Sequence, residues 1–289
     1  MPSSPLHAPV LEWYAGNARD LPWRSPGTTA WGVLVSEVML QQTPVARVEP
    51  VYRAWLERWP TPAALAREPA GEAVRAWGRL GYPRRALRLH ALATQVVARH
   101  DGRLPTSYAG LRALPGVGDY TAAAVASFAH GARHAVLDTN VRRVLARAVG
   151  GTEQPAPTLT AAERVRAEAL LPDESAVAAR WAVAVMELGA LVCTARTPRC
   201  GGCPVAARCA WQLAGAPAYE GPARRVQPFA GTDRQVRGLL MAVLRDRPGP
   251  ADAAELATVW PDAGQRDRSL AGLVADGLLI EDAGSYRLP

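Results

Sequence analysis

The sequence contains no lysine: all 33 of its Lys and Arg positions are arginine. That absence excludes any mechanism built on a lysine Schiff base, because no lysine amine is available to condense with a carbonyl. No apolar run reaches about 18 residues, so no membrane-spanning helix is expected. The opening MPSSPLHAPVLEWY lacks the basic-then-apolar layout of a signal peptide. A soluble cytoplasmic protein is therefore expected, in a reducing compartment where neighbouring cysteines bind metal more often than they form disulfides. Cysteine is scarce as well: the 289 residues hold four, all between 193 and 209. Strand-like alternation is also wanting through residues 7 to 192, which argues against a sheet-based body.

What is present is helical periodicity. VLVSEVML (33–40), VARVEPVYRAWLERW (45–59), YTAAAVASFAH (120–130), VRRVLARAV (141–149) and AVAARWAVAVMELGALV (176–192) repeat apolar residues at helical spacing, with breaks at Gly and Pro pairs. The body is read as mainly α. Trp23, Trp31, Trp55, Trp59 and Trp77 are expected in its core. A net charge of +7 points to a polyanion partner, since arginines that neutralise phosphates gain affinity from counterion release. A GC-rich genome explains arginine in place of lysine but not the excess of positive charge.

After Cys209 the composition changes. A Pro/Gly/Arg-containing link (215–234) leads to helical patterns at 234–246, 253–260 and 265–279, and then to two short strands in LLIEDAGSYRLP (278–289) joined at Ala283–Gly284. Three helices and a hairpin resemble a winged helix. A packing cap without DNA contact fits equally, because no arginine cluster marks a recognition helix. The expected division is 1–212, a linker at 213–230, and a small unit at 231–289.

Cys193, Cys200, Cys203 and Cys209 are spaced C-x6-C-x2-C-x5-C. Zinc sites usually pair two close Cys pairs across a longer gap, whereas four thiolates on one short loop suit an iron–sulfur cluster. Spacing alone leaves zinc open. Arg196, Arg199 and Arg208 put positive charge on the same loop, where a phosphate backbone would be met.

LPGVGDYTAAAV (114–125) reads as a tight turn between helices, with Gly116 and Gly118 permitting close approach and the new helix start offering N–H groups to a phosphate. In HAVLDTNVRRVLAR (134–147), Asp138 sits among apolar residues beside Asn140, where a carboxylate is costly unless paired or used. Capping the next helix is its plain structural role. His130 and His134 have metal-ligand spacing, but Gly131 and the helix end between them favour a structural role.

SEVMLQQTPV (36–45), LGYPRRALRLH (80–90), LPGVGDYTAAAV, LDTNVRRVLAR and the four-cysteine loop, in this order, resemble the helix–hairpin–helix DNA glycosylases of the endonuclease III superfamily. Within them the chain is most similar to the MutY-type adenine glycosylases, over about residues 10 to 212. The resemblance implies a two-lobed helix–hairpin–helix fold with an iron–sulfur loop holding a 4Fe-4S cluster on the four cysteines. It implies Glu37 as the general acid that protonates a flipped adenine at N7. Asp138, flanked by Asn140, would stabilise the sugar cation. Tyr120 stands where bifunctional relatives carry their Schiff-base lysine. The only other candidate imine former is the Pro2 amine that loss of Met1 would expose.

Gln42 and Tyr82, with Gln41 alongside, match the residues that fill the gap left by the flipped base. Gly116 and Gly118 match the backbone-binding turn, and Arg19, Leu21 and Arg24 match the base pocket. The implied partner is double-stranded DNA with adenine opposite 8-oxoguanine or guanine, bound by a monomer at the nucleoid.

Two positions depart from the family pattern. Val183 replaces the Gln or Glu expected ten residues before the first cysteine; Glu187, one turn on, either substitutes as reader or faces elsewhere. Residues 231–289 are too few for the Nudix-like domain that many relatives use to recognise 8-oxoguanine. Two rival functions stay open: a thymine/uracil mismatch glycosylase of the same superfamily, and a non-enzymatic iron–sulfur DNA-binding regulator.

Overall fold

The computed structural model describes residues 4–221 and 229–289. Pro2 and residues 222–228 of the expected linker lie outside them. The helices run in the order α1 (His7–Asn17), α2 (Ala30–Leu40), α3 (Val45–Arg58), α4 (Pro62–Ala66), α5 (Ala70–Trp77), α6 (Arg84–His100), α7 (Tyr108–Arg112) and α8 (Asp119–His130). They continue with α9 (Thr139–Ala148), α10 (Ala161–Ala169), α11 (Ser175–Leu191) and α12 (Ala210–Leu213). The C-terminal part contributes α13 (Asp233–Arg245), β1 (Ala251–Asp252), α14 (Ala253–Ala257), α15 (Ala263–Ala275), β2 (Ile280–Asp282) and β3 (Ser285–Arg287). Two compact units result.

The first unit gathers described residues within Met1–Val33, Thr106–Arg112 and Val117–Ala223. Its core follows from helical spacing. Val141, Val144, Leu145 and Ala148 form one buried stripe of α9 and pack with Ala178, Trp181, Val185 and Leu188 of α11. Each buried Val or Leu contributes about 1.5–3 kcal/mol relative to exposure. In α8 every residue from Thr121 to Ser127 is buried. Short side chains make that possible: Ala123 and Ala124 share a cluster with Ala182 of α11, a contact that larger residues would wedge apart. Helix α10 starts with a reciprocal cap in which Thr160 and Glu163 satisfy each other's backbone N–H.

The second unit gathers described residues within Leu34–Pro105, Ala113–Gly116 and Arg224–Pro289. Trp55, Trp59 and Trp77 are buried and meet edge to face, with ring centroids 4.7 Å apart for Trp55–Trp59 and 5.8 Å for Trp55–Trp77. Helix α6 buries Ala86, Leu89, Leu92, Ala93 and Val96, and ends where Asp101 and Gly102 turn left-handed. The C-terminal helices bury Val236, Leu240, Met241, Leu270 and Leu273. A three-stranded antiparallel sheet of order β1-β3-β2 closes this part, with Ala283 and Gly284 both at positive φ in its hairpin turn. Strand β1 has only two residues, too few to show alternation, and no sequence pattern announced it. Helix α15 stops four residues short of the expected end, because Gly277 at φ 70° turns the chain back.

The C-terminal residues pack onto α5 by exchange of half-buried polar groups. Arg75 donates to the carbonyls of Leu244, Arg245 and Arg247, Arg245 donates to Gly78 O, and Gly71 N–H donates to Pro289 O. No described helix is long and apolar enough to cross a membrane.

Candidate active site

Asp138 is the N-cap of α9. Its Oδ1 accepts the Val141 N–H at 2.6 Å, and its Oδ2 accepts the Asn140 side-chain amide at 2.7 Å. Burial pushes this carboxyl above its ordinary value, while the Val141 N–H, the Asn140 donors and the Arg143 charge pull it back. The helix cap and the Asn140 contact therefore use different oxygens of one group. Tyr120 lies in the first turn of α8, half-buried against Ala123, Ala124, Val136 and Ala182.

Two arginines tie α9 to the cysteine loop. Arg143 donates to Asn140 Oδ1 at 2.9 Å, to Gly189 O at 2.7 Å and to Cys193 O at 2.7 Å. Arg147, 1% exposed, donates to Thr194 O at 2.7 Å, Ala195 O at 3.1 Å and the Cys193 sulfur at 3.4 Å, with its guanidinium over the Trp211 ring. A chain of direct hydrogen bonds thus runs from Asp138 through Asn140 and Arg143 to the first cysteine. The sequence showed arginines at 143 and 147; their one-turn spacing was the available signal that both clamp the same loop.

The four thiols pack in one patch with Val205 and Trp211. Burial raises the Cys200 thiol, and its neighbours Cys193 and Cys209 raise it further; burial and the other three thiols likewise raise Cys203. Four mutually repelling sulfurs converging in an apolar patch fit a cationic cluster that neutralises them. Gln212 Nε2 donates to the Cys200 sulfur at 3.3 Å, and with Arg147 it supplies the outer hydrogen bonds that tune cluster sulfur ligands.

Glu187 does not point into free space. It is fully buried, with Oε1 accepting the Arg19 N–H at 3.0 Å and Arg19 Nε at 2.8 Å, and Oε2 accepting Arg19 Nη2 at 2.7 Å and Arg24 Nη2 at 3.0 Å. Burial opposes ionisation, but the hydrogen bonds from Arg19 and then Arg24 outweigh it and hold the carboxyl at about 2. Of the two readings of Glu187, a substitute reader or a side chain facing elsewhere, these contacts fit the second: it fastens the 18–24 segment to α11. Leu21 of that segment is buried, and Arg24 Nη1 is buried without a hydrogen-bond partner among the described residues.

In the second unit, Glu37 lies on α2 and is 6% exposed. Gln42 and Tyr82 both adopt positive φ, 54° and 49°, and Tyr82 is 55% exposed; Gln41 is partly covered. Gly116 is left-handed at φ 76°, and a Cβ there would press on Arg88 at 3.2 Å. Gly118 is the exposed N-cap of α8, where no side chain caps the first N–H groups. His134 stacks on Tyr108 with ring centroids 5.2 Å apart, and His130 ends α8.

Gly189 went unnoticed in the sequence. A Cβ there would lie 2.7 Å from Asn140 Cβ and 2.9 Å from Asn140 O, so only glycine lets α11 pass this close to the start of α9. An isolated glycine inside the helical run MELGALV was the signal.

Residues 35–168 match the HhH-GPD superfamily of base excision DNA repair proteins, and residues 193–209 match the iron–sulfur binding domain of endonuclease III. The adenine DNA glycosylase of Mycolicibacterium smegmatis is 53% identical over 276 residues, spanning 95% of this chain and 92% of that one. The chain belongs to the adenine DNA glycosylase family. The Mycobacterium tuberculosis member is 51% identical over 97% of this chain and 92% of its own length. The solved structure of a thermostable thymine-DNA glycosylase superposes with a TM-score of 0.64 at 28% identity, covering 71% of this chain and 94% of that chain. An endonuclease III–DNA complex superposes at 0.61 and 23% identity over 71% of this chain and 92% of its own, a likeness of fold. The chain therefore has a 4Fe-4S binding domain whose matched residues run from Cys193 to Cys209 and include all four cysteines, and zinc is set aside. The mainly α, helix–hairpin–helix reading agrees with these matches.

Proposed function

We propose that this chain hydrolyses the N-glycosidic bond of adenine opposite 8-oxoguanine or guanine in double-stranded DNA, as a monomer acting in the cytoplasm at the nucleoid. The observation that carries the reading is the 53% identity, over nearly the whole of both chains, to an adenine DNA glycosylase. A thymine/uracil-DNA glycosylase from Pyrobaculum aerophilum is 36% identical over 68% of this chain, which favours the pyrimidine reading less.

The chemistry follows from the groups. Glu37 protonates the flipped adenine at N7, so that N9 leaves with the bonding electrons of C1′–N9. The ionised Asp138 stabilises the positive charge that develops on the sugar, and water adds to C1′ with loss of a proton, leaving an abasic site in an intact strand. Asn140 holds the Asp138 carboxylate through Oδ2. Tyr120 occupies the lysine position of bifunctional relatives, and a chain without lysine has no lysine amine to trap the sugar and cleave the strand. Arg19, Leu21 and Arg24 form the base pocket. Arg24 Nη1, without a hydrogen-bond partner among the described residues, is a spare donor in a chain that has valine at position 183 in place of Gln or Glu.

Gln41, Gln42 and Tyr82 fill the stack when the base leaves it, and Gly116 and Gly118 meet the phosphate backbone. Cys193, Cys200, Cys203 and Cys209 would hold the 4Fe-4S cluster, which when bound would keep the arginine-bearing loop in shape. Residues 231–289 form a small winged-helix-like part.

The test is single-turnover base release from duplexes carrying adenine opposite 8-oxoguanine, adenine opposite guanine, thymine opposite guanine and uracil opposite guanine, with alkali to reveal abasic sites. Adenine release is expected. Pyrimidine release would establish the mismatch glycosylase, and no release from any duplex by cluster-loaded protein would overturn the glycosylase reading and favour a DNA-binding regulator.

A further inference from the structure

One buried cation connects the two exposed loop tips. Arg85, at the start of α6, is 6% exposed. Its Nη1 donates to Val38 O at 2.9 Å, Met39 O at 3.2 Å and Gln41 O at 2.5 Å, which caps the carbonyl end of α2. Its Nη2 donates to Thr43 Oγ1 at 3.0 Å and to Gly81 O at 3.0 Å. The flat guanidinium also lies 5.2 Å from the centroid of Trp77 and 5.4 Å from that of Tyr82. Thr43 adds a second tie, donating to Gln41 O at 3.2 Å and Leu80 O at 3.3 Å.

The residues so fastened flank Gln42 and Tyr82, whose left-handed backbones are unfavourable for side chains larger than glycine and persist only when their surroundings hold them. Tyr82 is an aromatic more than half exposed, so its own burial does not fix it. What fixes both tips is the guanidinium behind them. A lysine there would offer a point charge without the planar fork that reaches two loops and two rings at once.

We infer that Arg85 is a positioning residue that locks the Gln42 and Tyr82 loops into one rigid wedge, so that both tips enter the base stack together. The inference rests on the reading of Gln42 and Tyr82 as gap-filling residues. It predicts that Arg85 acts on base flipping and not on the general attraction to DNA. A loosened wedge must be ordered during flipping, and that cost falls on the step that opens the stack.

The experiment follows stopped-flow fluorescence of 2-aminopurine placed at the target adenine in a duplex opposite 8-oxoguanine. Full-length, cluster-loaded Arg85→Met, Arg85→Lys, Gln42→Ala, Tyr82→Ala and the Arg85→Met/Tyr82→Ala double variant are compared. Binding to an undamaged duplex and the iron content are measured alongside. Arg85→Met and Tyr82→Ala are each expected to slow the fluorescence rise about tenfold, with the double variant little slower than either, as for two members of one unit. Arg85→Lys restores only part of the rate, and undamaged-duplex affinity changes less than threefold.

Multiplying losses in the double variant, or parental flipping in Arg85→Met, would overturn the inference. Unchanged flipping in both Gln42→Ala and Tyr82→Ala would instead overturn the wedge reading, and the inference with it. Should Arg85→Met not fold, the cycle is run with Thr43→Val, which removes one Arg85 partner; additivity with Tyr82→Ala then contradicts the inference.

Discussion

Gly189 of α11 and Asn140 of α9 are in such close contact that a single methyl group cannot be placed between them: the missing Cβ would sit 2.7 Å from Asn140 Cβ. Since Asn140 holds Asp138 Oδ2, the glycine sets the position of the carboxylate from behind. Gly189→Ala would gain about 1 kcal/mol of helix propensity. Overpacking costs about 1–3 kcal/mol and moves the α9 start. Single-turnover adenine release is expected to fall more than tenfold while the melting temperature changes by only a few degrees. Parental release would show that α9 absorbs the methyl without moving Asp138.

Asn140→Ala tests the same carboxylate through pH. The Asn140 amide stabilises the ionised form of Asp138 and opposes the upward push of burial. Removing it raises the Asp138 pKa further, so a reaction that needs the anion is lost at a higher pH. The acidic limb of the single-turnover rate profile is expected to move towards neutrality. A limb at the parental position would remove Asn140 from the control of Asp138.

Glu187 makes a prediction about acid stability. Its folded value of about 2 lies below the ordinary 4.5, so its ion pairs contribute fully above about 4.5 and are lost as pH falls towards 2. Glu187→Gln keeps the shape but removes the charge from Arg19 and Arg24, at a cost of about 2 kcal/mol. The denaturation midpoint of the variant should converge with that of the parent as pH falls through this window. A constant gap at all pH values would show that packing, and not charge, is what the glutamate supplies.

The C-terminal residues brace α5, and Gly71 lies within that contact. A Cβ on Gly71 would lie 2.4 Å from Pro289 O and 2.9 Å from Leu288 Cβ, against backbone that cannot rotate away. Gly71→Ala is expected to destabilise the protein by about 1–3 kcal/mol. Arg75→Met, which strips three α13-end carbonyls of their donor, should do the same. Protease resistance of residues 233–289 checks both, with unchanged resistance contradicting the brace.

The helical body and the chemistry-bearing motifs were legible because their signals are local. A cap such as Asp138, a left-handed glycine such as Gly116 and a four-cysteine loop are each written within a few residues. The contacts that aim these groups are not. Glu187 meets Arg19 across 168 positions and Arg85 meets Gln41 across 44, and nothing in either segment names its partner. The sequence left Glu187 either as a substitute base reader or facing elsewhere; two arginines from a segment distant in sequence hold its carboxylate. Strand β1 escaped for a different reason, since pairing with Tyr286 and Ser285, not its own composition, makes Ala251–Asp252 extended.

Asp138→Asn isolates the chemistry from the fold, because asparagine caps a helix about as well as aspartate and keeps an oxygen for the Val141 N–H. Cluster-loaded parent and variant are to be compared in single-turnover release of adenine opposite 8-oxoguanine, with duplex affinity measured on the same samples. The variant should bind the duplex nearly as the parent does and release no adenine. Release close to the parental rate, or loss of binding with the fold and iron content intact, would remove Asp138 from the reaction and return it to the helix cap.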